Sequence, residues 1–117
     1  MEPAFFNIER LTLENTFYRK VISTNAYSQL VLMSLEEEEQ IPVETHPYTS
    51  QFIRVEQGLA KITIGNVSRI VNAGDAVLIP PNTPHYVENY SNITLKLYTI
   101  YSPPQHAHDL EQVLPYL

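Results

Sequence analysis

A carboxylate, an imidazole and a carboxamide fall within the stretch Glu44-Thr45-His46-Pro47-Tyr48-Thr49-Ser50-Gln51. Glu44 and His46 are two residues apart, so on a strand they share a face. Pro47 to Ser50 reads as a turn, and Gln51 opens the next strand, where its side chain can converge on the same point. His85 follows the run Pro80-Pro81-Asn82-Thr83-Pro84, whose prolines limit the backbone and present the ring at a strand start. Two imidazoles, one carboxylate and one amide oxygen form a hard-to-borderline donor set that suits Zn, Fe, Mn, Ni or Co. We expect Glu44, His46, Gln51 and His85 to meet inside a small barrel and hold one divalent metal ion. Singly, each has an ordinary reading: a surface or core histidine, two surface polar residues and a turn cap. Their conjunction at these spacings favours the metal.

The elements that must position these groups are strands. Phe17 to Ile22, Gln29 to Leu35, Phe52 to Glu56, Leu59 to Ile64, Val67 to Val71, Ala76 to Ile79, His85 to Tyr90 and Ile93 to Tyr101 are short apolar or alternating runs. Turn signals separate them, notably Gly65-Asn66, Asn72-Ala73-Gly74-Asp75 and Pro80-Pro81. Gly58, Gly65 and Gly74 read as turn positions with positive φ. Leu30, Leu32 and Ser34 alternate with Val31, Met33 and Leu35, leaving both faces largely apolar, as in a wall with something packed outside. Phe5, Phe6 and Ile8 read as a short edge strand, or Asn7 caps one helical turn through about Glu14. The run Glu36-Glu37-Glu38-Glu39 is a solvated turn and lacks calcium-loop spacing. An all-β sandwich or barrel with little helix follows. We expect one domain over residues 1–117, with a core at about 16–101 and a tail at 102–117.

Composition narrows the partners. Net charge is −6, and the seven Lys and Arg residues are scattered apart from Arg19-Lys20, which argues against nucleic acid or an anionic membrane. No apolar run approaches the ~18 residues of a membrane span, and no signal-like start is visible, so a cytoplasmic protein is expected. There is no cysteine, hence neither a disulfide nor a thiolate site.

Glu44-x-His46-x4-Gln51-x6-Gly58 resembles the first motif of the cupins, and Gly74-x5-Pro80-x4-His85-x3-Asn89 resembles the second. The flanking strands look like those of small cupins labelled mannose-6-phosphate-isomerase-like. The resemblance implies a double-stranded β-helix, a jelly-roll barrel of about six to eight strands with a metal near one end of its interior. The chain departs from the family pattern twice: Glu44 stands where His is usual, and Gln51 where Glu is usual. Together the two changes keep one negative charge in the ligand set. The larger phosphomannose isomerases, by resemblance, also use Gln, Glu and two His.

Parity sorts the pocket. With Gln51 and His85 facing inward, Ile53, Val55 and Val87 do too, and Arg54 faces away; Asn89 reads as structural, bonding backbone, or by its parity with His85 as facing the cavity. Tyr48, and Tyr98 or Tyr101, are candidates for the mouth. His106 and His108 form either a lid or a solvated tail, and Arg19 and Lys96 have no assigned place. The expected function is a metal-binding cupin that acts on or binds a small sugar or polyol, with isomerase chemistry if it is an enzyme. The alternatives are a non-catalytic binding module, a metal-dependent dioxygenase, or structural and storage use. Outward Phe52 and the Phe5-Phe6 start point to a homodimer. Light scattering at micromolar concentration is expected to give the dimer mass, and a monomer mass rejects that reading.

Overall fold

A computed structural model describes residues 2–115. In chain order the elements are α1 (Ile8–Glu14), β1 (Arg19–Thr24), β2 (Gln29–Leu35), β3 (Gln40–Glu44), β4 (Ser50–Gln57) and β5 (Leu59–Ile64). Then come β6 (Val67–Asn72), β7 (Ala76–Ile79), β8 (His85–Asn89), β9 (Leu95–Ser102) and β10 (Glu111–Gln112). They form a six-stranded antiparallel sheet in the order β10-β1-β2-β9-β4-β7 and a four-stranded one in the order β3-β8-β5-β6. The two facing sheets are the expected jelly-roll double-stranded β-helix, and no ladder closes them into a barrel among the described residues. Pro42 lies within β3, at a sheet edge, where its missing N–H costs no ladder bond.

Alternation along each strand builds the core. Val31, Met33, Leu35, Ile53, Val55, Leu95 and Leu97 of the larger sheet are buried with Ile41, Ala60, Ile62, Val71 and Val87 of the smaller. The two-sided apolar character of β2 is explained by α1, which packs against β2, β4 and β9. Thr12 is fully buried there, and Lys96 donates to the Asn15 carbonyl at the end of the helix. Asn7 Oδ1 accepts from the Arg10 N–H at 3.2 Å, so the cap reading holds. The alternative edge strand at Phe5 and Phe6 is absent, and Phe5 is 92% exposed. The tail is not a free end: β10 pairs with β1, Arg19 opposite Gln112 and Lys20 opposite Glu111.

Gly58 joins β4 to β5 at φ +87°, and a Cβ there would stand 3.1 Å from Ser91 Oγ and 3.3 Å from Leu95 Cα. Gly74 has φ +92° and open space around it. Gly74→Ala is expected to cost about 1–2 kcal/mol for the left-handed backbone alone. Gly58→Ala is expected to cost more, because the neighbouring backbone must also shift. Urea midpoints of the two variants check the order, and equal midpoints reject it.

Candidate functional site

At one end of the sandwich the inward rows become polar. Gln51 of β4 lies opposite Tyr101 of β9, which lies opposite Gln29 of β2. Across the interior, Glu44 of β3 lies opposite His85 of β8. The register of β3 shifts between Ile41 and Glu44, around Pro42, so Glu44 is not in simple alternation with the residues before it. His46 follows the end of β3. Its carbonyl accepts from the Asn82 N–H at 2.7 Å, which pins it to the proline-rich loop that presents His85.

The side chains converge. His46 Nε2 is 3.2 Å from Glu44 Oε2, and the His46 and His85 rings are 5.2 Å apart between centroids. His85 Nδ1 lies 2.9 Å from the Thr83 carbonyl. That oxygen can only accept, so Nδ1 carries the proton and Nε2 keeps its lone pair. Gln51 Nε2 donates to Thr99 Oγ1 at 3.1 Å, which leaves Gln51 Oε1 buried without a partner. His46 Nε2 is also buried and makes no aligned hydrogen bond, although it stands at ion-pair distance from Glu44. Buried polar atoms left unpaired are rare and mark places where a ligand, ion or water belongs.

Charge organises this cluster. The other oxygen of Glu44, Oε1, is 3.5 Å from Arg19 Nη2. Burial pushes the His46 pKa down, and it outweighs the opposing pull of Glu44; His85 and Arg19 add to the depression. Tyr101, 1% exposed, sets its ring edge against both His46, at 5.8 Å, and His106, at 5.0 Å. Burial raises its pKa well above the usual phenol range. His106 is lowered to about 4 by burial, then by Arg19 and His46.

Among the described residues, no three His, Cys, Asp or Glu side chains stand where they could hold a metal ion by themselves. Glu44, His46 and His85 are neighbours, but part of the Glu44 carboxylate is engaged by Arg19. Ile53, Val55 and Val87 are buried as their parity implies and belong to the apolar core. Asn89 takes the structural of its two readings: despite its parity with His85, its Nδ2 donates to the carbonyls of Leu35, Glu36 and Ile93. Of the two tyrosines it is Tyr101 that faces the cluster, while Tyr98 lies opposite Arg54 and beside Phe52 on the outer face. Tyr48 is 86% exposed and closes nothing.

Gln29 and Thr99 are the groups that residue-by-residue reading left out. Arg19 was left unplaced, although its inward parity with Val21 was an available signal; of the two readings of the tail, His106 follows the one that folds it over the cluster. The tail is fastened over the cluster, with His106 partly buried and His108 exposed. A groove of about 640 Å³ lies elsewhere, between the N-terminal arm and β2, lined by Phe6, Ser23, Thr24, Leu30 and Ile100.

Residues 31–101 match the cupin domain family, Cupin_2. The chain belongs to the cupin family. It is 44% identical over 104 residues to the uncharacterized protein L612 of Acanthamoeba polyphaga mimivirus, covering 86% of this chain and 65% of the relative. It is 40% identical over 111 residues to the uncharacterized protein YrkC of Bacillus subtilis, covering 90% and 60%. The cupin described here therefore spans less than two-thirds of the length of these two relatives. The crystal structure of BH2720 from Bacillus halodurans superposes with a TM-score of 0.94 at 38% identity, over 96% of this chain and 89% of that one. The sandwich is thus that of a cupin double-stranded β-helix.

The depressed His106 gives the cluster a pH signature. Between pH 6.5 and about 4 the unfolded histidine binds a proton that the folded one does not. Stability is therefore lost as pH falls through that window, and this contribution levels off below it. His106→Phe is expected to flatten the acid limb of the stability curve measured by urea unfolding. An unchanged limb rejects the assignment to His106.

Proposed function

We propose that this cupin holds one divalent metal ion with His46, His85, Gln51 and Glu44, and binds a small sugar-like or polyol ligand beside it. The observation that carries the reading is the pair of buried, unpartnered atoms Gln51 Oε1 and His46 Nε2. Donors bound at about 2.0–2.2 Å to one ion stand about 3.0–3.4 Å apart, and His46 Nε2 and Glu44 Oε2 are 3.2 Å apart. The tautomer of His85, held by Thr83, offers a third lone pair. Sharing one ion requires these side chains to draw closer than they stand here. Bound there, a divalent ion would polarise a carbonyl or hydroxyl oxygen of the ligand.

The chain's own residues support binding further than they support a reaction. Aldose–ketose isomerisation needs a base that moves a proton between adjacent carbons. Glu44 is the carboxylate that lies against the imidazole, and it is shared with Arg19. The mannose-6-phosphate-isomerase-like reading also needs cations for a phosphate. Arg54 pairs with Glu56, and Lys96 is engaged at the end of α1; Arg19 is the cation that reaches the cluster. The sugar or polyol class rests on the family resemblance.

Elemental analysis of untagged protein is expected to find about one divalent ion per chain. His46→Ala combined with His85→Ala is expected to abolish it. Gln51→Leu, which removes the unpaired oxygen while keeping bulk, is expected to weaken metal affinity at least about tenfold. No metal in the parent protein, or full retention in the double variant, sinks the proposal.

A further inference from the structure

The segment 103–112 is a thin strap tied down at two places. The Gln29 side chain, 1% exposed, holds its middle: Nε2 donates to the His106 carbonyl at 2.7 Å, and Oε1 accepts from the Gln105 and His106 N–H groups at 3.1 and 2.9 Å. Further along, β10 pairs with β1, and Arg19 Nη1 donates to Gln112 Oε1 at 3.1 Å. Most strap residues are exposed, while His106 turns in against Tyr101. One buried carboxamide making three hydrogen bonds to the backbone of two consecutive residues fixes where the imidazole goes.

The strap leaves two donor groups unspent. Arg19 is 9% exposed, yet its Nε–H is buried without an acceptor. The 3.5 Å contact with Glu44 is longer than the about 2.7–2.9 Å of a charge-assisted hydrogen bond, so the guanidinium charge is loosely compensated. His106 Nε2 is likewise buried and unpartnered. In the neutral tautomer that carries its proton on Nε2, this imidazole donates. A guanidinium Nε–H and an imidazole N–H, both desolvated, call for oxygen acceptors that carry negative charge. A planar oxyanion fits a guanidinium fork better than a hydroxyl does.

We propose that Arg19 and His106 form a subsite for a carboxylate or similar planar oxyanion on a small ligand, with the strap as its outer wall. The subsite adjoins the proposed metal ligands through Glu44 and Tyr101 but needs no metal. It narrows the ligand from a neutral polyol to one bearing an acid group.

The test uses full-length, metal-stripped protein, so its outcome is separate from that of the metal reading. Acetate is titrated while the ¹⁵N-labelled side-chain signals of Arg19 Nε–H and His106 Nε2 are followed, with chloride at matched ionic strength as the control. Both signals are expected to shift saturably with acetate and not with chloride. His106→Phe keeps a ring against Tyr101 but removes the donor, and is expected to weaken acetate binding about tenfold. Equal responses to acetate and chloride, or unchanged acetate affinity in His106→Phe, overturn the proposal. If that variant does not fold, the His106 ¹⁵N response of the parent protein decides: a saturable shift supports the subsite, and none rejects it.

Discussion

The arrangement depends on one constraint: polar groups buried at the end of an apolar sandwich must find partners. Glu44 meets it by bridging, one oxygen toward Arg19 of the larger sheet and the other toward His46 beside its own strand. Thr99 and Gln29 meet it from β9 and β2, by bonding Gln51 and the strap. What stays unpaired, namely His46 Nε2, Gln51 Oε1, Arg19 Nε and His106 Nε2, lies on residues of this one cluster. A folded chain tolerates such atoms at a cost of about 1–3 kcal/mol each, so their gathering on one cluster points to function and not to scattered packing error.

The fold explains why the cluster survives there. Both sheets are otherwise closed by aliphatic rows, and α1 shields the outside of the larger one. Burial of the two faces of β2 and β9 supplies the stability that the polar end withholds. The result is a wall carrying Gln51, Thr99 and Tyr101, opposite His46 just after β3 and His85 at the start of β8.

Much of this was legible because strand parity is a local property. Gly65-Asn66, Asn72 to Asp75 and Pro80-Pro81 fall at turns, and Ile53, Val55 and Val87 are buried as alternation requires. Glu44 meets His85 across the β3–β8 ladder and the His46 ring lies beside that of His85, but Gln51 stands on β4 of the other sheet and not on a strand paired with β3. Parity fails where distance along the strand matters: Asn89 has the right face but sits at the far end, among loop carbonyls. Tyr98 and Tyr101 could be told apart only by register, since neighbouring strands decide which of the two faces Gln51. The choice between lid and solvated tail was not legible, because the order of the tail comes from Gln29 and Arg19, remote in sequence and carrying no local pattern. Closure of the sheets into a barrel is likewise a long-range property, and the two ladders do not meet.

The Asn82 N–H to His46 carbonyl bond joins the segment that carries His46 to the proline-rich loop leading into β8, whose first residue is His85. His46 and His85 are therefore one mechanical part and cannot be retuned independently. Gln51 and Tyr101 belong to another, set in the middle of a sheet by neighbours on both sides. A change of spacing between the imidazoles and Gln51 is therefore a displacement between the two sheets and not within one.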